Sequence, residues 1–197
     1  MLPPPPPRGS VQPRFRRLTV GSVVHRVYNP GKFGASATGY RRFGPVARMD
    51  HHVRPRDSRR DRGIFYGAPT YRGCLVEVLD DRTLDLTNRR HAVLRITKPL
   101  TLLDLRRAGA MAAGVDARIG KCAHRESQPW ARHFYEHESY GRIDGFTWLN
   151  SHTDDEAFAF VERAGDAYAV VLDVPLRSET REIATLCDPL GVVIGPL

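Results

Sequence analysis

The sequence predicts an α/β or α+β fold, in which short strands and helices alternate around one core. Apolar runs of strand length are separated by segments with helical periodicity. The chain has 197 residues, which suits one domain and a tail, and 41% of them are hydrophobic, which is enough for a core. No internal repeat is present in the sequence, so nothing indicates a repeat architecture.

The chain begins with residues 1–17, which are rich in proline and arginine and are predicted to form a flexible tail. The folded domain is expected to span 18–197. Its first strand is predicted at 22–28, where the run SVVHRVY has the length and composition of a strand. Residues 29–62 hold many glycines, prolines and charges and predict a long loop, a kind of segment that is usually functional or disordered.

A strand predicted at 63–68 leads into a helix predicted at 69–79. Proline at position 69 favours this start, because proline suits the first turn of a helix. The buried stripe of the helix is predicted to consist of Tyr71, Leu75, Val78 and Leu79.

The second half of the chain continues the mixture of strands and helices. Apolar runs predict strands at 91–97, 101–105, 145–150, 168–174 and 192–194. Helices are predicted at 108–119 and 127–138. A further helix is expected where Thr153 and Glu156 have the spacing of a capping box. Its buried residues are predicted to be Ala157, Phe158, Val161 and Ala164.

The formal net charge is +8, and it is concentrated in two irregular segments. Residues 1–17 carry four arginines and no acid, and residues 48–62 carry six arginines against three aspartates. A nucleic-acid-binding module that uses these segments is one alternative function, and its binding would weaken steeply as salt rises. It is disfavoured because the basic segments lack interleaved aromatic residues on which bases stack.

Cysteine content and hydropathy predict a cytoplasmic protein. The three cysteines are few, odd in number and far apart, which argues against a disulfide framework or a zinc site and suits a reducing compartment. No run of about 18 apolar residues occurs, so no membrane span is expected. The start, MLPPPPPRGS, carries five prolines where a secretory signal needs an apolar helical segment.

Arg26 lies in the middle of the first predicted strand, among apolar residues. Side chains alternate along a strand, so Arg26 shares a face with Val24 and Tyr28. Arg26 is either an edge-strand arginine whose head group reaches solvent or a fixed guanidinium that grips a pyrophosphate with two hydrogen bonds. Tyr28 is either a core residue or a ring that stacks on a ligand or donates a hydrogen bond.

Four more polar residues each have two interpretations. Arg42, in GYRRFGP, is a solvated loop arginine or an anion contact, and Tyr66, at the end of a short strand, is a core or a site residue. Glu77 is solvated or faces a cleft beside the strand that ends at Tyr66. Ser151 follows a strand, where α/β folds often bind ligands but where serine also forms turns. No P-loop, GxGxxG, HExxH or CxxC motif is present, so these residues indicate an anion- or nucleotide-binding cleft without identifying a reaction.

The order of several sequence blocks resembles the RES-domain family over about residues 22–175. No single block is specific, but the ordered set is. The family is named for an arginine, a glutamate and a serine, which fall on Arg26, Glu77 and Ser151. The blocks are VHRVY (24–28), GYRRFGP (39–45), GIFYGAPTYRGCLVEVL (63–79), DLRRAG (104–109), QPWA (128–131) and DGFTWLNSHTDDEAFAFVERAG (144–165).

The resemblance implies an ADP-ribosyltransferase-like single domain with a mixed, split β-sheet flanked by helices. It implies the toxin of a toxin–antitoxin pair, which degrades NAD⁺ at the nicotinamide–ribose bond by phosphorolysis or hydrolysis. NAD⁺ is then a substrate, phosphate or water is the acceptor, and no prosthetic group is expected. A cognate antitoxin is expected to cap the active site. Whether the protein is a monomer or a homo-oligomer stays open.

The resemblance also assigns roles to residues. Arg26 and Arg42 would hold the NAD⁺ phosphates, and Tyr28 and Tyr66 would line the nicotinamide side. Glu77 would steer or stabilise the ribose as the glycosidic bond breaks. Ser151 would position the nicotinamide ribose or the phosphate. The alternative within the same cleft is transfer of ADP-ribose to a macromolecule.

Overall fold

A computed structural model describes residues 1–79 and 82–195 of the chain. In chain order the strands are β1 (Phe15–Leu18), β2 (Val23–Tyr28), β3 (Phe43–Gly44), β4 (Asp57–Ser58), β5 (Ile64–Gly67), β6 (Thr83–Leu84), β7 (Arg90–Ile96), β8 (Leu100–Asp104), β9 (Gly145–Leu149), β10 (Glu156–Val161), β11 (Tyr168–Pro175) and β12 (Val193–Ile194). The α-helices are α1 (Tyr71–Val76), α2 (Ala108–Ala112), α3 (His124–Glu136) and α4 (Thr180–Cys187).

Most of these strands belong to two sheets, and together they confirm the predicted mixed, split architecture. The larger sheet has the order β1-β8-β9-β10-β5, in which β8 and β9 are parallel and the other pairs are antiparallel. The smaller sheet has the antiparallel order β11-β7-β2. Backbone hydrogen bonds between His25 and Ala68, of 2.8 and 2.9 Å, tie β2 to the residue that follows β5. This bridge brings the two sheets together beside Arg26.

The core forms three clusters around these sheets. The largest lies between the larger sheet and α3, where Trp130 and Phe134 pack against Phe146 and Trp148. A second joins the facing sides of the two sheets, and a third lies under α1 and α4. Burial on both faces of the larger sheet holds its strands rigidly, which suits a support for polar side chains at its edge.

The predicted strands are confirmed, with ends that differ by one or two residues. The helix predicted at 69–79 is confirmed but shorter, because Thr70 caps it and its side chain accepts a hydrogen bond from the backbone N–H of Gly73 at 3.1 Å. The helix predicted at 108–119 is interrupted at Gly114, whose φ of +81° is incompatible with a right-handed helix. The helix predicted at 127–138 begins earlier, at His124, and α4 was not predicted.

The helix predicted to start at Thr153 is wrong, since residues 156–161 form β10, an interior strand of the larger sheet. Its large side chains, Phe158 and Phe160, enter the cluster between the sheets, and its small ones enter the cluster under α3. A strand with two buried faces satisfies this alternation of large and small residues, whereas a helix does not. The Thr153 hydroxyl donates to Asp155 instead of closing a capping box with Glu156.

The N-terminal segment makes contacts that the prediction of a flexible tail over 1–17 did not include. Residues 15–17 belong to β1, which pairs with β8. Leu2 is 6% exposed and packs in the cluster around α3, and the indole N–H of Trp130 donates to the carbonyl of Pro3 at 2.8 Å. Composition hid these contacts because they depend on residues far along the chain. No helix within the described residues has the length and apolar character needed to cross a membrane.

Candidate active site

A cavity of about 460 Å³ opens where β2, the end of β5 and the end of α1 meet the long loop. Five of the six predicted site residues line it, and they come from four separate parts of the chain. They are Arg26, Tyr28, Tyr66, Glu77 and Ser151. The fold therefore gathers into one cavity residues that the sequence could only place on separate elements. The sixth, Arg42, lies elsewhere.

Arg26 is buried in the wall of the cavity, with 4% of its surface exposed. Its Nη2 donates to the carbonyl of Gly39 at 3.0 Å, and its guanidinium lies 4.5 Å from the ring centre of Phe65. Its buried Nη1 has no hydrogen-bond partner in the part of the chain that the structure describes. Burial lowers the pKa of Arg26 to about 10, so the group is still charged at neutral pH. The placement excludes the solvent-exposed edge arginine and leaves a fixed cation with one open donor.

Tyr28 follows Arg26 on the same face of β2 and confirms the predicted alternation. Its hydroxyl donates to a carboxylate oxygen of Asp173 at 2.8 Å, and the other oxygen of Asp173 accepts from Arg90 at 2.8 Å. The hydroxyl hydrogen of Tyr28 is therefore already used in a hydrogen bond to the Asp173–Arg90 ion pair. What Tyr28 offers the cavity is the surface of its ring.

Glu77 is the residue at which α1 ends, and its side chain lines the cavity. The side chain accepts no hydrogen bond from any residue in the ranges 1–79 and 82–195. Burial raises the pKa of Glu77 to about 7, and the positive charge of Arg48 opposes that rise only in part. Glu77 is half-buried, and a carboxylate in such a setting without a partner is stabilised in its charged form by a positive group that enters the cavity.

Ser151 and His152 form the rim of the cavity, immediately after β9. Both are exposed. The side-chain oxygen of the buried Asn150 accepts hydrogen bonds from the backbone N–H groups of His152 and Thr153, at 2.9 and 2.8 Å. This turn fixes the backbone at the end of the strand, so the two side chains sit at the opening.

Tyr66 also lines the cavity, where a buried carboxylate holds it in place. Its hydroxyl donates to Asp50 at 2.8 Å and accepts from the backbone N–H of Met49 at 3.0 Å. Asp50 is fully buried and also accepts two hydrogen bonds from Nη2 of Arg41, at 2.7 and 2.9 Å. Burial alone would raise the pKa of Asp50, but the hydrogen bonds and charge of Arg41 outweigh it and lower the pKa. This cluster of Asp50, Arg41 and Tyr66 forms one wall of the cavity.

Arg42 does not line the cavity. It is exposed, it donates to the carbonyl of Arg60, and it borders a separate depression with Phe43 and Ser58. Its neighbour Arg41 faces the cavity instead, because the backbone at Arg41 is extended and bridges to Ile64, so successive side chains point to opposite sides. The block GYRRFGP holds two adjacent arginines, and nothing in the sequence shows which of them faces inward.

Several residues that line the cavity were not predicted. They are Lys32, Arg41, Arg48, Asp85, Arg89, His124 and His152. Arg48 belongs to the basic 48–62 segment. Its guanidinium donates a hydrogen bond to the carbonyl of Cys122. Most of these residues lie in loops, where no periodicity indicates which side chains face a ligand, and His124 is the first residue of α3. The charge of the 48–62 segment indicated only Arg48.

A family model described as "RES domain" matches residues 23–181 of this chain. The chain is also similar in fold to a chain from the crystal structure of the MbcT–MbcA toxin–antitoxin complex of M. tuberculosis, with a TM-score of 0.53 and 16% sequence identity. The match covers 82% of this chain and 88% of that chain. No curated protein matches the sequence.

Proposed function

We propose that this chain, which belongs to the RES-domain family, consumes NAD⁺ by cleaving the bond between nicotinamide and ribose, with phosphate or water as the acceptor. One observation carries the proposal. The same cavity holds a buried arginine whose Nη1 has no partner and a half-buried carboxylate that accepts no hydrogen bond, both statements applying to the described residues. A substrate with a negative pyrophosphate and a ribose that becomes positive during the reaction would give the arginine and the carboxylate each a partner of opposite charge.

Arg26 would hold the pyrophosphate of NAD⁺. Its Nη2 is fixed by Gly39 and its ring contacts restrict its rotation, so little conformational freedom is lost when an anion binds. The open Nη1 adds a charge-assisted hydrogen bond in a buried setting, where such bonds are strongest. Arginine also suits the planar array of two phosphate oxygens better than lysine does.

Glu77 would stabilise the reacting sugar. As the bond from C1′ to the ring nitrogen breaks, its electron pair leaves with nicotinamide, and positive charge develops on the ribose. A carboxylate beside that charge lowers the barrier most in a site from which water is excluded. An oxygen of phosphate or water then bonds to C1′ and gives up its proton. The positive nicotinamide ring of bound NAD⁺ would favour the ionised form of Glu77.

The remaining predicted residues would shape the nicotinamide end of the cavity. Tyr28 and Tyr66 offer ring surfaces whose orientation is fixed by Asp173 and Asp50, respectively. Ser151, at the exposed rim, would contact the nicotinamide ribose or the incoming phosphate. The phosphate role that the resemblance implied for Arg42 would fall instead to cations that line the cavity, of which Arg48 lies close enough to act on the charge of Glu77.

The biological setting follows by analogy with the M. tuberculosis structure, which is a toxin–antitoxin complex. We propose that the chain is a cytoplasmic toxin that depletes NAD⁺ and that a cognate antitoxin covers the mouth of the cavity. Loss of NAD⁺ from cells that express the chain, and protection when the neighbouring open reading frame is expressed with it, would support this setting.

The direct test incubates the purified chain with NAD⁺, with and without inorganic phosphate, and separates the products by chromatography. Release of nicotinamide is expected. A phosphorylated ADP-ribose that forms only with phosphate would identify phosphorolysis, and ADP-ribose would identify hydrolysis. If no nicotinamide is released in either condition, the proposal fails. Nicotinamide that appears only when a protein or nucleic-acid acceptor is added would favour ADP-ribosyl transfer.

A further inference from the structure

A second groove, of about 690 Å³, adjoins the cavity. Residues 29–32, 86–90 and the end of β11 form its walls. Asn29, Lys32 and Arg89 line both spaces, so the groove is continuous with the cavity, and Ser151 lines only the cavity. Its volume lies within the range of about 300–1,000 Å³ that is typical of small-molecule sites.

The groove is lined by cations, and most of them have no acidic partner. Lys32, Arg89 and Arg177 form no ion pair with any carboxylate that the structure describes, whereas Arg90 is neutralised by Asp173 at 2.8 Å. Arg89 is held in place because its Nη1 donates to the carbonyl of Val78 at 3.2 Å. Among the described lining residues of the groove none is acidic.

The geometry points to this groove as the site of the adenosine half of the dinucleotide, with a phosphate on its 2′ oxygen, so that NADP⁺ is a substrate of the enzyme. This inference rests on the proposed function. A dinucleotide with its nicotinamide ribose at Glu77 and its pyrophosphate at Arg26 extends past Lys32 and Arg89 into the groove.

The choice of NADP⁺ follows from the charges of the groove. In Rossmann-type dinucleotide sites an acidic residue binds the free 2′ hydroxyl of NAD⁺, whereas an arginine accommodates the 2′ phosphate of NADP⁺, and the same charge complementarity applies to this groove. The described walls of this groove offer three cations and no carboxylate, while Asp85 in the wall of the adjoining cavity interacts electrostatically with Lys32 and Arg89. A dianionic 2′ phosphate would form charge-assisted hydrogen bonds with these cations, whereas the neutral 2′ hydroxyl of NAD⁺ would give them no anionic partner.

The kinetic test compares kcat/KM for NADP⁺ and NAD⁺ in the parent and in Arg177→Ala. Arg177 is exposed, lies outside the first cavity and would contact only the 2′ phosphate, which NAD⁺ lacks, so its loss is expected to leave cleavage of NAD⁺ within about twofold. Cleavage of NADP⁺ is expected to fall at least tenfold. Arg181→Ala is the matched control, because Arg181 is equally exposed but lines neither space, and it should change neither value.

A binding measurement separates this inference from the proposed reaction. Calorimetry with adenosine 2′,5′-bisphosphate and with adenosine 5′-monophosphate should show at least tenfold tighter binding of the bisphosphate, and Arg177→Ala should remove the difference. Equal affinities would overturn the inference while leaving nicotinamide release from NAD⁺ intact. Inorganic phosphate that binds as tightly as the bisphosphate would also overturn it, because the groove would then hold free phosphate only. Preferential bisphosphate binding without any nicotinamide release would keep the groove and contradict the proposed reaction.

Discussion

Two regions beside the cavity each contain an arginine and a carboxylate. In one region the two groups are hydrogen-bonded to each other, and in the other they are not. In the Asp50–Arg41 wall every carboxylate oxygen accepts hydrogen bonds, from Arg41, from Tyr66 and from the backbone of the loop. In the Arg26–Glu77 region neither group meets the other, and Arg26 keeps an open donor. The pKa is lowered at Asp50 and raised to about 7 at Glu77.

The comparison separates charges that hold the fold from charges that await a ligand. Removing one partner of a buried, hydrogen-bonded ion pair strongly destabilises the fold, because it leaves an uncompensated buried charge. A buried charge without a partner destabilises the folded protein, and such groups concentrate at functional sites. Substitutions in the first region should therefore change the free energy of unfolding, and substitutions in the second should change catalysis.

The largest effect is expected for Asp50→Ala. It leaves the guanidinium of Arg41 buried and the hydroxyl of Tyr66 without its acceptor, and breaking such a pair costs roughly 3–5 kcal/mol. Urea unfolding followed by circular dichroism measures the loss. A variant that unfolds at the urea concentration of the parent would show that Asp50 does not hold the loop.

Arg26→Ala should abolish NAD⁺ cleavage, because a charge-assisted contact to phosphate is worth roughly 2–4 kcal/mol. Arg26→Lys should restore little activity, since an ammonium does not span two oxygens in one plane. Nicotinamide release at matched concentrations of folded protein is the measurement. Arg26→Met preserves most of the buried volume and serves as the control for packing. Release at the rate of the parent in the alanine variant would mean that Arg26 is structural.

Glu77→Gln should lower kcat by more than it raises KM, since glutamine keeps the shape but loses the charge that favours the transition state. The same variant should be more stable than the parent at pH 8. The raised pKa means that folding favours protonated Glu77, so the stability of the parent falls as pH rises from about 4.5 to 7. Near-normal turnover together with unchanged stability would contradict both roles.

The pH profile of the parent gives a smaller but independent test. If ionised Glu77 is the active form, kcat/KM should rise as pH increases through about 7 and then reach a plateau, because kcat/KM reports the ionisation of the free enzyme. The Glu77→Gln variant should lack this step over the same range. A step of equal size in both proteins would assign the ionisation to another group.

The smallest effect is expected for Arg42→Ala. Arg42 is exposed and outside the cavity, so nicotinamide release should match the parent and stability should change by less than about 0.5 kcal/mol. A loss of activity as large as that of Arg26→Ala would restore the role that the resemblance gave to Arg42.

Local patterns in the sequence predicted the strands well, because burial there repeats with period two, as at Val24, Arg26 and Tyr28. They failed at β10, where the spacing of Thr153 and Glu156 favoured a helix. The segment forms a strand because it pairs with neighbouring strands on both sides, which local patterns do not show. The order of the sequence blocks that resemble the family identified Glu77 and Ser151 as site residues. That both lie in one cavity depends on contacts between residues distant in sequence. Asp50 escaped notice for the same reason, since its partners become neighbours only in the folded chain.

The position of β1 also bears on how the protein is made. Phe15 pairs with Leu103, so the first strand to leave the ribosome must wait for β8 before the edge of the larger sheet can close. Pairings of this length in sequence slow folding. Once β8 has formed, it presents an open edge that another chain can join until β1 pairs with it. Slow release from the ribosome, or a chaperone that covers β8, would favour correct folding, and deletion of residues 1–18 should increase aggregation during expression.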